Sequence, residues 1–564
     1  MKELRSSPST LNANRVKKSA ASDDMAKTRL TIVMVGFIVA FLVIGGRLGQ
    51  LMLLSPEDES EFVNAGIKEE IARADIVDRN GVILATSLVT QSLYANPKNV
   101  ISPEITAKQL AQVLPDLKYE TVLSKLKSQQ GFAWIKRNLT PQQQSAVYEM
   151  GLPGIGFQRE EKRVYPHGSL FSHILGCTDV DNKGVSGIEK YFDEALISDK
   201  SPLELSIDMR VQHILKSEIK EKMEQFNAIG GAGLIMKVDT SEVVAMCSLP
   251  DYNPHEIAKT APENMFNMVT SGVYEVGSSM KILTTALALE SGAVKINSRF
   301  DISEPIRVGR FKIRDYHPKK IVADIPQIFL HSSNIGMIHM VKAVGVPAHQ
   351  DYLKKFGLLQ APTLELPEVG APIVPGEWKE LNSMSMAYGY GICISPMQIS
   401  NAVCSTINGG ILRRPTLLKI KEGHKDPGIR VVSEKTSHTM RNLLRLVVQH
   451  GTGRNAKAMG YDIGGKTGTA EKVVNGKYSR DNIVTFISAF PMSDPKYLVM
   501  VMVDKPKGNK DSHGFATAGW IAAPIVKNVV ARSASMLGVT PIEEEEATSP
   551  EYEIFKANAL VEHH

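Results

Sequence analysis

Apolar and polar residues are arranged in three ways along this chain, and each predicts a different kind of element. The first is an unbroken run. Leu30–Gly46 carries no charge, and after Arg47 the apolar character resumes as far as Leu54. That is long enough to cross a bilayer as a helix, which takes about 20 residues. The second is a set of short runs bounded by turn residues. Ile71–Thr86 predicts two strands joined at Asn80-Gly81, a dipeptide suited to a tight hairpin. Gly233–Leu249 predicts a hairpin around Asp239–Glu242, with strands apolar on both faces. Ile483–Met492 and Tyr497–Lys505 predict two more buried strands joined at Ser493-Asp-Pro495. The third is helical. Leu203–Met223 predicts a strand leading into an amphipathic helix, and helical stretches fill the middle of the chain. Strands at both ends of a region with helices between them predict a mixed α/β (α+β) domain whose first and last strands share a sheet. The segment from about 86 to 200 reads as mixed and turn-rich, and beyond about 540 the chain turns acidic (Glu543–Glu546) and predicts a loose tail.

One helix breaks the pattern. From Met280 to Leu289 the residues are apolar or uncharged on every side except for Lys281, with Gly277 as the preceding turn and Ser291-Gly292 as the end. An all-round apolar helix belongs in a core. There an ammonium is costly unless it is paired or loses its proton, and the helix N-terminus disfavours a cation further. The pattern predicts a lysine with a depressed pKa, the form in which lysine acts as a base. The plain alternative is a lysine snorkelling to the surface.

Charge sharpens the division into parts. Residues 1–29 hold seven Lys and Arg against three carboxylates, which takes +4 of the chain's net +5. The body is therefore close to neutral, which predicts no nucleic-acid face. The tail lacks apolar periodicity and reads as disordered. Basic residues precede the apolar run and Glu57, Asp58, Glu59 and Glu61 follow it, so the positive-inside rule predicts a cytoplasmic N-terminus and an external body. Arg47 and Gln50 share one face of the anchor near its outer end, where snorkelling or a partner membrane helix accounts for them. The organisation read from these shifts is a basic tail at 1–29, an anchor at 30–54, a non-catalytic domain at 55–200, a main domain at 201–540 and an acidic tail at 541–564. Cys177, Cys247, Cys393 and Cys404 have no metal-ligand spacing. Cys247 and Cys404 read as free core thiols, with a Cys393–Cys404 pair as the weaker option. The histidines form no ligand motif, so neither a metal nor a cofactor is predicted.

Three short motifs stand in the main domain: Ser278-Ser-Met-Lys281, Ser332-Ser-Asn334 and Lys466-Thr-Gly-Thr469. Each is weak alone. In this order, with the first opening the apolar helix and the third in a glycine-flanked strand, they match the S-x-x-K, S-x-N and K-T-G set of penicillin-binding proteins and serine β-lactamases. The chain resembles a class B penicillin-binding protein over nearly its whole length, and within that class the division-specific transpeptidases. Arg73–Ala85 looks like the family's entry motif in its non-catalytic domain. Arg163–Gly168 and Gly184–Glu189 look like its later motifs, and offer no chemistry of their own. Tyr388-Gly-Tyr-Gly391 with Pro396-Met-Gln398, and His450-Gly-Thr-Gly-Arg454, match further segments. One departure is Val276, where the family carries proline, and it is expected to loosen the turn before the nucleophile.

The residue types suit acyl transfer. A serine needs an adjacent base, and only Ser278 has a lysine at i+3; Ser279 would need one at 282 and finds Ile282. The resemblance implies a transpeptidase domain with an antiparallel sheet flanked by helices, standing on a pedestal (dimerisation-type) domain. It implies Ser278 as nucleophile, Lys281 as base, Ser332 as proton relay, Asn334 as a hold on the donor peptide and Lys466 as support for Ser332. Thr467, Gly468 and Thr469 would bind the terminal carboxylate of a D-Ala-D-Ala stem, and the N–H groups of Ser278 and Thr469 would form the oxyanion hole. The implied activity is D,D-transpeptidation at the septum from the cytoplasmic (inner) membrane, beside an FtsW-like glycan polymerase and other division proteins. Four alternatives are weaker. A β-lactamase needs a hydrolytic glutamate, and Glu377 is out of register with Asn382. A catalytically idle β-lactam sensor would not need all three motifs. The elongation enzymes tend to carry aspartate at the Asn334 position and serine at Thr467. A bifunctional enzyme would need a longer segment than 55–200.

Overall fold

The computed structural model describes residues 31–48, 73–308, 311–421, 423–474, 477–542 and 550–560. The chain divides into two units, 1–71 and 72–564. In the first, helix α1 (Thr31–Leu48) is the one helix among the described residues long and apolar enough to cross a membrane. The basic tail and Gln50 lie outside the described residues, as do Glu543–Glu546.

The second unit begins with the predicted hairpin. Strands β1 (Ile76–Val77) and β2 (Ile83–Ala95) pair antiparallel across Asn80-Gly81. Asp78 closes the turn by accepting from the N–H groups of Asn80 and Val82 at 2.8 and 2.9 Å. Further along, β2 pairs with β3 (Ala133–Leu139) and β4 (Ile155–Val164), and β1 pairs parallel with β5 (Leu203–Glu204). The two later motifs of this region meet the entry motif in a buried ion network. Arg73 Nε and Arg163 Nε each donate to Glu189 at 2.6 Å, and Arg73 Nη1 reaches Asp193 at 2.7 Å. Both guanidinium groups and the Glu189 carboxylate are sealed from water. Their role is to lock the loops around the pedestal sheet.

Beyond β5, helix α2 (Met209–Gln225) leads to β6 (Gly230–Lys237) and β7 (Val243–Leu249), which form the second predicted hairpin. The apolar helix is α3 (Lys281–Glu290), entered through a 3₁₀ turn at Gly277–Met280. Then follow α4 (Ile325–Leu330), α5 (Asn334–Val344) and α6 (Glu434–His450), and strands β8 (Gly464–Val474), β9 (Lys477–Phe490) and β10 (Tyr497–Asp504). The strands form one antiparallel sheet in the order β8-β9-β10-β6-β7. First and last strands do share a sheet. Successive side chains of a strand face opposite ways, so the doubly apolar strands serve two cores. On one face Ile235, Val501 and Val503 pack with Val211 and Leu215 of α2 and with Val526 and Val529 of α7 (Ala522–Ser533). On the other, Leu234, Met500 and Met502 pack with Leu283 and Leu287 of α3 and Leu443 of α6.

One expectation changes. The acidic C-terminal segment is not loose throughout: residues Pro550–Leu560 form helix α8, whose Tyr552 and Ala559 are buried against the domain. Its sparse apolar residues fall one turn apart, a signal too short to stand out beside the charges. The cysteines follow the preferred reading: Cys393 and Cys404 are unpaired, and all four are free thiols.

The pedestal network supplies a stability test. Glu189→Ala leaves two buried guanidinium groups without their shared carboxylate and is expected to cost about 3–5 kcal/mol. The check is the denaturant midpoint of the purified chain. An unchanged midpoint would mean the network carries no structural load.

Candidate active site

The Gly277–Met280 turn is fixed from both sides by close backbone packing. Tyr274 and Ile394 exchange backbone hydrogen bonds at 2.9 and 3.0 Å, and Gly277 N–H donates to Gly389 O at 3.2 Å. A Cβ on Gly389 would collide with the Gly277 carbonyl, which accounts for glycine in the Tyr388–Gly391 segment. From the other side comes β8. A Cβ on Gly468 would lie 2.5 Å from Ser279 Oγ, 2.8 Å from Val276 O and closer still to Thr485 Oγ1. Glycine at 468 thus lets the Lys466–Thr469 strand lie directly on the turn. At the departure from the family pattern, the Val276 side chain is buried, and its carbonyl accepts from Ser279 N–H at 3.3 Å.

Within this turn the two serines have different surroundings. Ser279 is buried and its hydroxyl is bound to Thr485 Oγ1 at 3.0 Å. Ser278 is partly exposed, and its hydroxyl has no hydrogen-bond partner among the described residues. Lys281 lies one turn further on, fully buried. Its Nζ donates to Ser332 O at 2.5 Å and to Ser332 Oγ at 3.1 Å. Lys466, also fully buried, donates to the same Oγ at 2.9 Å and to Thr467 O at 3.3 Å. Two lysines therefore converge on one hydroxyl. Burial, then the neighbouring Lys466 charge, hold Lys281 well below the usual lysine value, with Asp315 pulling the other way. Burial pushes Lys466 down to about 7. The snorkelling alternative fails for Lys281.

Ser332 delivers that hydroxyl from a left-handed backbone conformation, φ +55°, uncommon for a residue with a Cβ. It sits between α4 and α5, and Asp315 caps the start of α5. The Asp315 carboxylate accepts from Asn334 N–H at 2.5 Å, Ile335 N–H at 3.1 Å and Ser333 Oγ at 2.6 Å. The Asn334 amide donates to Arg314 O at 2.9 Å, which sets its direction. On β8, Thr467 Oγ1 meets Thr452 Oγ1 at 2.7 Å, so the His450–Arg454 segment reaches the strand through its threonine. Thr469 lies against the nucleophile turn; a Cβ on Gly277 would be 2.7 Å from its carbonyl oxygen.

The fold thus brings the three motifs to one place. Ser332 joins Lys281 to Lys466, Asn334 follows on the same loop, and Gly468 and Thr469 lie against the Ser278 turn. A hydrogen bond between Ser278 and Lys281 is not made in this state. Glu377 is not part of the site; it is 77% exposed and pairs with Lys379 at 3.0 Å. Sequence reasoning missed Asp315, Thr452 and Thr485. Thr452 stood in a segment already noticed, whereas Asp315 and Thr485 carry no local signal, because each acts on a residue far off in sequence.

The comparisons agree with this architecture. Residues 231–531 match the model of the penicillin binding protein transpeptidase domain, and 68–225 that of the penicillin-binding protein dimerisation domain. The chain belongs to the class B penicillin-binding proteins. Among relatives of this class, it is 34% identical over 539 residues to the peptidoglycan D,D-transpeptidase FtsI of Caulobacter vibrioides, covering 93% of this chain and 91% of that one. It is 28% identical over 520 residues to the peptidoglycan D,D-transpeptidase FtsI of Escherichia coli K12, covering 85% and 87%. Its fold matches that of a penicillin-binding protein 3 from Mycobacterium tuberculosis crystallised with aztreonam, with a TM-score of 0.67 and 23% identity over 84% of this chain and 98% of that one.

The packing of strand on turn gives the site's test. Gly468→Ala must displace β8 from Ser279 and Val276. A misplacement near 1 Å costs on the order of 100-fold in rate. Penicillin acylation measured against the parent chain is expected to slow by about that factor. A rate within twofold would show that the strand has room to spare.

Proposed function

We propose that the chain is a peptidoglycan D,D-transpeptidase of the division type, joining stem peptides through an acyl-enzyme on Ser278. The observation that carries this reading is the pair of buried lysines on the Ser332 hydroxyl beside a serine whose own hydroxyl is unengaged. In the first half-reaction Ser278 Oγ attacks the carbonyl carbon of the penultimate D-alanine and passes its proton to neutral Lys281. The N–H groups of Ser278 and Thr469 hold the oxyanion. With both lone pairs of Ser332 Oγ directed to lysines, its proton is free to point into the site. It is passed to the departing nitrogen, the C–N bond breaks, D-alanine leaves, and Lys281 returns a proton to Ser332. In the second half-reaction an acceptor amine from a neighbouring strand attacks the ester. Its surplus proton returns through the same groups to Ser278 Oγ, which leaves as the hydroxyl. Asn334 holds the donor's amide, Thr467, Gly468 and Thr469 its terminal carboxylate, and Lys466 keeps the carboxylate end positive.

Helix α1 is the anchor, with the body outside the cytoplasm at the septum, in keeping with its apolar length and the charges around it. The domain organisation is that read from the sequence: tail 1–29, anchor 30–54, pedestal 55–200, transpeptidase domain 201–540 and C-terminal segment 541–564. A chain that makes no glycan works beside a polymerase that does. The anchor face bearing Arg47 is the docking surface for an FtsW-like partner. Asn334 and Thr467 favour division over elongation.

Fluorescent-penicillin labelling of living cells, followed by mass spectrometry, tests this reading. The adduct is expected on the peptide containing Ser278, absent in Ser278→Ala, with the label concentrated at septa. An adduct on Ser279 would overturn the assignment of nucleophile. Label confined to the sidewall would overturn the division type.

A further inference from the structure

The C-terminal helix α8 touches the supports of the two groups that meet at the centre of the site. Through its apolar side, Ala559 and Phe555 pack on Leu330 and Leu446. Leu330 is the last residue of α4, two positions before Ser332. Through its aromatic side, the Tyr552 ring lies under the Arg445 guanidinium at 4.9 Å, and Tyr552 Oη donates to Gln449 Oε1 at 2.5 Å. Arg445 in turn holds Asp462 in a buried two-point pair, Nε to Oδ1 at 2.8 Å and Nη2 to Oδ2 at 2.5 Å. Asp462 lies four residues before Lys466, at the entry to β8. The same carboxylate accepts from Ser493 N–H at 3.0 Å, tying that entry to the β9–β10 connection.

We propose that α8 is a positioning element for the Ser332–Lys466 contact, wedged behind both residues and holding them at hydrogen-bonding distance. A left-handed serine persists only where its surroundings over-determine it. Leu330 stands two residues before Ser332, opposite the Asp315 contacts to Ser333 and Asn334 in the chain, and α8 packs on it. A bidentate guanidinium–carboxylate pair fixes direction as well as distance, so the ring over Arg445 orients the strand entry. An element that only added stability would have no reason to grip these two supports together. The proposal rests on the roles given above to Ser332 and Lys466.

The test is the rate of penicillin acylation of full-length chains across pH 5 to 10, with the unfolding midpoint recorded for each. The variants are Ala559→Arg, which forces α8 off Leu330 and Leu446, Tyr552→Ala, which removes the ring from Arg445, and Phe555→Leu, which keeps an apolar contact. The charged groups around the Ser332 hydroxyl are Lys281, Lys466 and Asp315. Loosening their enclosure admits water and lets the lysines regain protons, so the acid limb of the profile moves to higher pH. Ala559→Arg and Tyr552→Ala are expected to acylate about 10- to 100-fold more slowly at neutral pH, with that displacement, and Phe555→Leu to remain near the parent. Should Ala559→Arg fail to fold, Tyr552→Ala decides. Folded variants with parental rates and profiles would overturn the positioning role, whatever happens to their midpoints. Absence of acylation in the parent chain itself would instead sink the transpeptidase reading.

Discussion

Two lysine side chains share one serine hydroxyl in a place sealed from water, and the rest of the domain is arranged to make that tolerable. An isolated buried ammonium is among the most costly groups a core can hold, and two within reach of one oxygen repel each other as well. The structure offers Lys281 and Lys466 hydrogen-bond acceptors, the Ser332 carbonyl and hydroxyl and the Thr467 carbonyl, but no carboxylate in direct contact among the described residues. For Lys281, which also feels the Lys466 charge, giving up a proton is then the cheapest relief. That outcome converts a structural burden into basicity, and it explains why the helix behind Lys281 is apolar on every side. A wet or charged helix would let the ammonium stay.

Elsewhere the chain treats buried charge in the opposite manner. Glu189 in the pedestal and Asp462 behind the active site are each held by arginine in close pairs. Arginine keeps its charge under almost all conditions, so such pairs act as rigid joints. The contrast is functional. Arginine–carboxylate joints fix loops and strand entries, while the lysines at the centre remain able to exchange protons. Glycine completes the division of labour at Gly389 and Gly468, where any side chain would separate the turn from its two neighbours.

Much of this was legible in the residues. The hairpin at Asn80-Gly81, the doubly apolar strands and the apolar helix behind Lys281 each follow from a local pattern, and they appear where the pattern puts them. The three motifs were found because acyl transfer demands a nucleophile, a base and a carboxylate hold of fixed types. What escaped was long-range. Asp315 caps a helix from 19 residues away, and Thr485 engages Ser279 from a neighbouring strand across 206 residues of chain. Neither relation leaves a trace in local periodicity. The C-terminal helix was misread for a related reason. Its anchoring residues, Tyr552, Phe555 and Ala559, are few and stand among charges, so composition outweighed their spacing. The Arg73–Arg163–Glu189 network shows the same limit from the other side: its motifs were noticed, but their chemistry exists only once three distant segments meet.

The proposed acylation needs Lys281 neutral when Ser278 Oγ attacks. The most direct measurement is the pH dependence of the second-order rate at which a β-lactam acylates Ser278 in the unmodified chain. With burial holding Lys281 well below the usual lysine value, the rate should stop rising with pH well before an ordinary solvated lysine would titrate, and fall on the acid side. A rate that goes on climbing toward pH 10, as an ordinary solvated lysine would impose, would contradict it.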